Sequence, residues 1–240
     1  MIVLIDTDIV CYRAGFACEN EDLNIALWQT DQMIERIVLE TDASDYKCFI
    51  TGSDNFRYAI NPEYKANRKD ARRPKWLQEI REHVVLRHNA SISNGREADD
   101  DLGIAQDKIG TTDKWHEGVY QTTIASIDKD LLMIPGWHYN FVKGIHKTVT
   151  EFEGKQWLYY QLVMGDRADN IFGYDGKCRD KVPKFLEETM AVLFSYQTER
   201  EMYDHVLDMY DFDEERLQMN AHCLYIHQKE DDEWQKPELS

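Results

Sequence analysis

Short apolar runs alternate with longer amphipathic segments along the first two thirds of the chain. Each run is four to seven residues long and is followed by polar residues, which is typical of a buried strand. The runs that predict strands cover residues 2–5, 46–51, 90–93, 121–127, 138–143 and 147–152. The last two predict a hairpin joined at Gly144.

Apolar residues at helical spacing predict helices between and after these strands. The predicted helices cover about residues 7–19, 25–40, 75–88, 97–109, 155–164, 180–196, 199–210 and 213–228. A polar, basic stretch with Pro62 and Pro74 as breakers separates two of them, and residues 110–120 predict a loop. Alternating strands and helices favour an α/β fold, in which a mostly parallel central sheet is covered by helices. A helical C-terminal lobe follows.

Composition and cysteine usage narrow the class of protein. Of 240 residues, 42% are hydrophobic and 12% aromatic, which is typical of a folded chain and argues against disorder. No apolar run has the length of a membrane span, and the N-terminus predicts a strand and not a signal peptide. Five scattered cysteines without zinc spacing favour a reduced compartment, so we expect a cytoplasmic protein.

Charge is distributed unevenly along the chain. The net charge is −17, which by itself argues against a nucleic-acid partner. Between Arg57 and Arg87, however, nine basic residues stand against four acidic ones. A single basic segment on an acidic chain indicates a local binding surface for phosphate groups.

Nine carboxylates fall into five short clusters, several of them directly after a predicted strand. They are Asp6; Asp54; Glu97, Asp99 and Asp100; Asp128 and Asp130; and Asp166 and Asp169. Since the C-terminal ends of parallel strands meet at one edge of a sheet, we expect distant members of this set to converge. Any one cluster is equally well explained as a helix cap or a solvated turn, so the inference depends on the whole set.

Converging carboxylates repel one another unless cations bind between them. Oxygen ligands suit hard ions, so the pattern predicts two Mg²⁺ or Mn²⁺ ions and hydrolysis of a phosphodiester. Lys65 and Arg68 are candidates to add positive charge to that phosphate, against the alternative of a solvated basic loop. Tyr64 is a candidate to stack on a base, with ordinary packing an equal alternative.

Six segments, in order over residues 2–186, resemble the 5′–3′ exonuclease and flap endonuclease family, especially its compact bacteriophage members. The Tyr-Lys-x-Asn-Arg, Glu-Ala-Asp-Asp and Gly-Asp-x-x-Asp-Asn-Ile segments are together highly specific. The six cover residues 4–8, 54–57, 62–68, 97–100, 126–131 and 165–171.

The resemblance implies a PIN-like 5′ nuclease fold and metal-dependent hydrolysis of DNA with a free 5′ end. It assigns the nine carboxylates to two metal sites, directly or through water. It makes Lys65 and Arg68 catalytic residues in a helical arch, about residues 55–90, through which the 5′ strand threads. The implied domains are a nuclease domain at 1–164 and, at 165–240, a helical DNA-binding lobe with a helix-three-turn-helix element and an acidic tail. DNA contacts are expected from Arg57, Tyr64, Lys69, Arg72, Arg73, Lys177, Arg179 and Lys181.

The chain departs from the family pattern in the turn that follows Ile171. Members of the family often hold a potassium ion there, in a Gly-rich turn. Phe172 stands in place of the usual proline and Cys178 in place of the second turn glycine. Because the geometry of such a turn depends on the freedom of glycine, this departure puts the potassium site in question.

The first expectation is a monomeric, stand-alone 5′ nuclease of replication or recombination, in the host cytoplasm if the chain is phage-encoded. Its substrates would be 5′ flaps and duplex ends, with RNA primers as a further class. Two alternatives stay open. One is an RNase H-like, primer-removing nuclease that acts on RNA–DNA hybrids, and the other is a catalytically weak nucleic-acid-binding protein on the same scaffold.

Overall fold

A six-stranded mixed sheet organises the N-terminal two thirds of the protein, as seen in the computed structural model, which describes residues 1–110 and 121–238. From residue 111 on, the loop predicted for 110–120 lies outside the described residues. The strands are β1 (Ile2–Asp6), β2 (Asp45–Ile50), β3 (Ser91–Ile92), β4 (Thr122–Ala125), β5 (Gly136–Asn140) and β6 (Ile145–Val149).

The sheet order is β3-β2-β1-β4-β5-β6, and every neighbouring pair is parallel except β5 with β6. The prediction of a mostly parallel sheet flanked by helices is therefore confirmed. The predicted hairpin is also confirmed, although both strands begin about two residues earlier than expected. Gly144 lies in its turn with φ +66°, a conformation that favours glycine.

Helices account for most of the remaining described residues, and none of them is long and apolar enough to span a bilayer. Three short 3₁₀ helices lie at Ala66–Arg68, Asp130–Met133 and Lys184–Leu186. The α-helices are α1 (Thr7–Ala17), α2 (Leu23–Glu40), α3 (Arg57–Ile60), α4 (Leu77–His88), α5 (Ala98–Gly110), α6 (Glu151–Met164), α7 (Glu187–Leu193), α8 (Glu199–Met209) and α9 (Glu214–Leu224).

The structure differs from the helical predictions in four places, one of which is the end of α9, at Leu224 instead of residue 228. The four-residue α3 lies in a stretch predicted only as polar and basic. Helix α6 begins four residues early because Thr150 and Glu153 form a capping box, in which each side chain accepts the other's backbone N–H. The helix predicted at 180–196 is instead a 3₁₀ turn followed by the seven-residue α7.

The chain forms two compact units, each discontinuous in sequence. The first contains Met1–Asn55, Arg72–Val149 and Ile226–Asp231, and the second contains Phe56–Ala71, Thr150–Tyr225 and the described residues from Asp232 on. The sequence predicts a different division, with one boundary between residues 164 and 165. That predicted domain boundary stays a prediction.

In the first unit, helices α1, α2 and α4 pack on one another and share a core with β1 and β2. Val3 and Ile5 belong to this core. Because side chains alternate along a strand, Leu4 points to the other face, where it is also fully buried. Helix α5 contacts β1, β2 and β4. The apolar run of β1 is thus explained by burial on both faces.

The segment Ile226–Asp231 packs within the first unit, although it follows α9 in the chain. The Ile226 N–H donates to Met133 Sδ at 3.4 Å, and the His227 N–H donates to Asp100 Oδ1 at 3.0 Å. A Cβ at Gly103 of α5 would lie only 2.2 Å from the His227 carbonyl oxygen. The close approach of this segment to α5 therefore requires glycine at position 103.

We expect Gly103→Ala to destabilise the protein, although alanine in a helix is normally favoured by about 1 kcal/mol over glycine. The added methyl meets a backbone carbonyl that cannot rotate away, an overpacking effect of about 1–3 kcal/mol. Urea denaturation measures the free energy of unfolding. Ala105→Gly, on the same helix, serves as the control that reports helix propensity alone. A more stable Gly103→Ala variant would contradict the packing described for Ile226–Asp231.

Candidate active site

Asp6 ends β1, the strand between β2 and β4, and its side chain is only 3% exposed. One carboxylate oxygen accepts the Ile9 N–H at 3.4 Å, which caps α1, and the other accepts the Ser126 hydroxyl at 2.6 Å. Burial, together with the charges of Asp8 and Asp128, raises the pKa of Asp6 to about 7, against the lowering effect of the Ser126 hydrogen bond.

Asp128 and Asp130 follow the end of β4 and are joined to Asp6 through Ser126. The Asp128 N–H donates to Ser126 Oγ at 2.9 Å, and the Asp130 N–H donates to Asp128 Oδ1 at 3.0 Å. Asp128 is exposed and Asp130 is half-buried at the start of a 3₁₀ helix. The structure thus brings Asp6 and Asp128 together, as the sequence predicted from the two strand ends.

The acidic triplet lies at the start of α5 and differs among its members in burial. Asp100 is fully buried, and its two oxygens accept N–H groups from Glu97 and His227, each at 3.0 Å. Glu97 is 8% exposed and Asp99 is half-buried. Asp100 therefore holds the first turn of α5 in place, while its neighbours line the same helix start.

Asp8, Thr51 and Arg81 link α1, the end of β2 and α4 beside these acids. The Thr51 N–H donates to Asp8 Oδ2 at 2.7 Å, and its hydroxyl accepts the Ala98 N–H at 3.1 Å. Arg81 forms an ion pair with Asp8 and donates to the Thr51 carbonyl. A fixed cation thus balances one acid of the group.

Sequence reasoning missed three of these contributors. Ser126 stands two positions from the predicted ligand Asp128, a spacing that places side chains on the same side of an extended segment. Asp8 follows the predicted ligand Asp6 by two positions and lies in the first turn of α1. Arg81 was counted only as part of the basic segment. Asp54, which was predicted as a ligand, lies exposed beyond the end of β2 in the same unit.

The second unit carries Asp166 and Asp169 together with Lys65 and Arg68. Asp169 Oδ1 lies 3.0 Å from Arg68 Nη2 and 3.5 Å from Lys65 Nζ, and Oδ2 accepts the Tyr64 hydroxyl at 2.7 Å. Asp166 Oδ1 accepts the Asp169 N–H at 3.0 Å. The two predicted catalytic cations therefore pair with a predicted metal ligand.

Backbone contacts join the segments that contain these residues. Arg68 Nε donates to the Ala168 carbonyl and Asn67 donates to the Arg167 carbonyl, each at 2.6 Å. Asn170 donates in return to the Glu63 carbonyl at 2.8 Å. The conspicuous Tyr-Lys-x-Asn-Arg and Asp-x-x-Asp-Asn segments are thus two sides of one hydrogen-bonded junction.

Two residues predicted to contact DNA are buried. Arg57 is 2% exposed, and its guanidinium donates to the carbonyls of Cys223 and Tyr225 at 2.8 and 2.7 Å. It joins α3 to the end of α9, so its charge does not face solvent. Tyr64 is likewise 2% exposed, and its ring is not available for stacking on a base.

The other predicted DNA contacts lie nearer the surface. Lys69, Arg73, Lys177 and Lys181 are exposed. Exposed Arg72 pairs with Glu19, and half-buried Arg179 pairs with Asp175. These six side chains lie where phosphate groups can reach most of them without disruption of the core.

The turn after Ile171 does not fit a potassium ion, because its carbonyl groups already have donors. Arg216 donates to the carbonyls of Gly173 and Tyr174, and Asn220 donates to that of Phe172 at 2.8 Å. The Ile171 carbonyl accepts Cys178 Sγ–H at 3.1 Å. A guanidinium thus supplies positive charge at the turn.

The carboxylates of the first unit, by contrast, do fit hard divalent cations. Their donor atoms are all oxygens, and a cation beside Asp6 would offset both the burial and the neighbouring charges that raise its pKa. The hydrogen bonds from Ile9 and Ser126 fix the direction of that carboxylate in advance.

Known proteins of similar sequence or fold indicate the class of this protein. Residues 1–160 match a family described as 5′-3′ exonuclease, N-terminal resolvase-like domain. No curated protein sequence matches the chain. The bacteriophage T5 5′-exonuclease with bound zinc ions has the same fold, with TM-score 0.64, 17% identity, and coverage of 93% of this chain and 88% of that chain.

A bacteriophage T5 flap endonuclease in a pseudo-enzyme–product complex with DNA and metal ions is similar to the same degree. Its TM-score is 0.61 at 16% identity, and the match covers 92% of this chain and 90% of that chain. At these identities the likeness shows the fold. The family match spans more than half of the sequence, and the chain therefore belongs to the 5′-3′ exonuclease family.

Proposed function

We propose that this protein is a metal-dependent 5′–3′ exonuclease and structure-specific flap endonuclease that hydrolyses DNA phosphodiesters in replication or recombination. The observation that carries the proposal is the buried Asp6 carboxylate, whose pKa burial and the charges of Asp8 and Asp128 raise to about 7. A buried acid among other acids is unfavourable unless a cation shares it. Membership of the 5′-3′ exonuclease family supports the reaction class.

We infer that two Mg²⁺ or Mn²⁺ ions bind, because all the candidate ligands are oxygens. When bound, such ions supply Lewis acidity toward the scissile phosphate. The proposed ligands, direct or through water, are Asp6, Asp54, Glu97, Asp99, Asp100, Asp128, Asp130, Asp166 and Asp169. Ser126 is a positioning residue in this scheme, since its hydroxyl and its link to the Asp128 N–H orient two of the ligands.

Lys65 and Arg68 are proposed to stabilise the negative charge of the phosphate in the transition state. In this structure both are paired with Asp169, so a phosphate must compete with one carboxylate for them. A bidentate contact between the guanidinium and the phosphate favours that exchange at Arg68. Contacts along the DNA backbone are proposed for Lys69, Arg72, Arg73, Lys177, Arg179 and Lys181.

The proposed substrates are 5′ flaps and duplex ends, with RNA–DNA hybrids as a further class, and the proposed active form is a monomer. The five cysteines are all free, which supports action in a reducing cytoplasm. The pairing of both cations with Asp169 is the one observation that favours the alternative of a weakly catalytic nucleic-acid-binding protein.

Asp128→Ala combined with Asp130→Ala should abolish magnesium-dependent cleavage, because it removes two oxygen ligands, while DNA binding in Ca²⁺ persists. End-labelled 5′-flap, nicked and RNA-primed substrates, with product lengths resolved, measure this. Asp208→Ala, which removes an exposed acid on α8, is the matched control.

Several outcomes of that assay would count against the proposal. Cleavage by the double variant at the wild-type rate contradicts the site. Wild-type cleavage confined to RNA–DNA hybrids supports the RNase H-like alternative, and binding without any cleavage supports the weakly catalytic one.

Lys65→Ala should lower kcat by about 10²–10³-fold, the usual effect of losing one donor to a developing charge, with a smaller change in DNA affinity. Lys69→Ala is the matched control, because it removes an exposed lysine from the same segment. It should weaken binding and reduce the salt dependence of affinity by about one unit of slope, with kcat unchanged. If Lys65→Ala weakened affinity alone, Lys65 would position the substrate without acting on the reaction.

Asp6→Asn should stabilise the metal-free protein at neutral pH. Between pH values of about 4 and about 7, Asp6 holds a proton in the folded state, because its pKa is raised there, but has lost it in the unfolded state. The free energy of unfolding of the wild type should therefore fall across this window, by up to about 4 kcal/mol relative to Asp6→Asn. Denaturation at pH 4.5 and 7.5 without divalent ions measures the difference.

Magnesium at pH 7.5 should raise the Tm of the wild type and leave that of Asp6→Asn nearly unchanged. Asp208→Asn, at an exposed position, should behave as wild type throughout. If the free energy of unfolding had the same pH dependence in the wild type and Asp6→Asn, the pKa of Asp6 would not be raised in the folded state.

A further inference from the structure

A second cluster of ligating side chains lies in the first unit, on helices α2 and α4. Asp31 of α2 faces His83 and His88 of α4, and the Nε2 atoms of both imidazoles lie 2.7 Å from the same oxygen, Asp31 Oδ1. The potential ligand atoms of the three residues all lie within 4.8 Å of one another. The mechanism proposed above uses none of them.

His88 of the cluster lies near the N-terminal end of β2, whereas the carboxylates of the candidate active site lie at the C-terminal ends of the strands. His88 Nδ1 lies 2.9 Å from the hydroxyl of Tyr46, the second residue of β2. The acids gather at the C-terminal ends of β1 and β4, which run parallel to β2. Four residues of strand, about 13 Å, separate Tyr46 from the last residue of β2. The two groups of ligands therefore belong to different sites.

Two imidazole nitrogens and one carboxylate oxygen form a donor set of a different kind from the all-oxygen acidic group. Imidazole suits zinc and its neighbours among the transition metals, whereas magnesium and calcium prefer oxygen. Ligands about 2.0 Å from a tetrahedral zinc ion lie about 3.3 Å apart. The two observed N···O separations of 2.7 Å are about 0.6 Å shorter than this, and all three ligand atoms lie within 4.8 Å of one another.

The surroundings match what metal-bound histidine requires. A ligating imidazole usually donates its second ring N–H to a fixed acceptor, and the Tyr46 hydroxyl offers that acceptor to His88 Nδ1. Burial opposes the ionisation of Asp31, yet hydrogen bonds from His88 and His83 lower its pKa below the usual value, so the carboxylate is charged. The ligands lie on α2 and α4, two regular helices that contact each other, and this contact fixes the spacing of the ligands.

Access from solvent is open on one side. Asp31 and His88 line a groove of about 540 Å³, together with Glu35, Asp42, Tyr46 and Arg87. The side chains of Asp31 and His83 are 24% and 21% exposed. Three protein ligands with an accessible fourth position leave room for a water molecule or a further acid.

We propose that Asp31, His83 and His88 bind a zinc-type divalent transition-metal ion that clamps α2 to α4. Helix α4 also carries Arg81, which pairs with Asp8 beside the candidate active site. An ion at the clamp would therefore stabilise the helix that holds this cation in place. The inference is independent of the proposed nuclease activity, since it rests on another donor set and another part of the sheet.

Zinc titration of the full chain by calorimetry, in excess Mg²⁺ to compete at the acidic group, tests the proposal. The wild type should bind one more zinc ion per chain than the double variant His83→Gln with His88→Gln. His146→Gln, which changes an exposed histidine of β6, is the matched control and should keep that ion. Asp128→Ala with Asp130→Ala should also keep it, which separates this site from the active site.

Thermal unfolding adds a readout that does not depend on counting ions. Zinc should raise the Tm of the wild type and of the His146→Gln control by several degrees, and leave that of the double variant unchanged. Asp31→Asn retains an oxygen that accepts both imidazole N–H groups, so its metal-free Tm should stay close to wild type while the zinc response is lost. Equal zinc stoichiometry in the wild type and the double variant, or an unchanged zinc response in Asp31→Asn, would show a hydrogen-bonded clamp only and overturn the proposal.

Discussion

Repulsion among carboxylates at the C-terminal ends of β1 and β4 is the constraint on which the rest of the first unit depends. Parallel strands bring these groups together, and burial of Asp6 makes their charge still less favourable. The surrounding structure directs hydrogen-bond donors at these carboxylates. Asp6 is held by a backbone N–H and a serine hydroxyl, Asp100 by two backbone N–H groups, and Asp8 by a backbone N–H and Arg81. Elements distant in sequence, including the segment after α9, are ordered by the acids that they satisfy.

Hydrogen bonds and ion pairs to an acid likewise account for the family-like motifs of the second unit without appeal to catalysis alone. Asp169 accepts a hydrogen bond from a tyrosine hydroxyl and forms ion pairs with a guanidinium and an ammonium group. Asparagine side chains of the two segments donate hydrogen bonds to the backbone of the facing segment. Because so many side chains of this segment bind one another, the fold alone restricts which residues can occupy it, whether or not the segment contacts substrate. The proposed roles of Lys65 and Arg68 must therefore be separated from their structural roles by kinetics, because sequence specificity serves both.

Much of the fold was predictable because it follows from local patterns. The apolar runs of β1 and β4 are buried on both faces, and the strand ends correctly indicated that Asp6 and Asp128 converge. What could not be predicted depends on contacts between distant residues. Arg57 lies in a basic segment, yet its guanidinium donates hydrogen bonds to two carbonyls more than 160 positions away in the sequence. The early start of α6 was predictable in principle, since its Thr-x-x-Glu capping box is visible in the sequence.

In the turn after Ile171, a side chain supplies positive charge at the place where the family pattern has an ion. The ligands that a turn of this kind offers to an ion are its backbone carbonyl oxygens. Here Arg216 of α9 donates to two of those carbonyls, and Cys178 donates to a third. A guanidinium is always charged and is covalently fixed, so the positive charge at the turn no longer depends on the salt composition. Arg216 and Cys178 thus occupy carbonyl oxygens of this turn, and any contact with duplex phosphates in this lobe would come from exposed side chains such as Lys177 and Lys181.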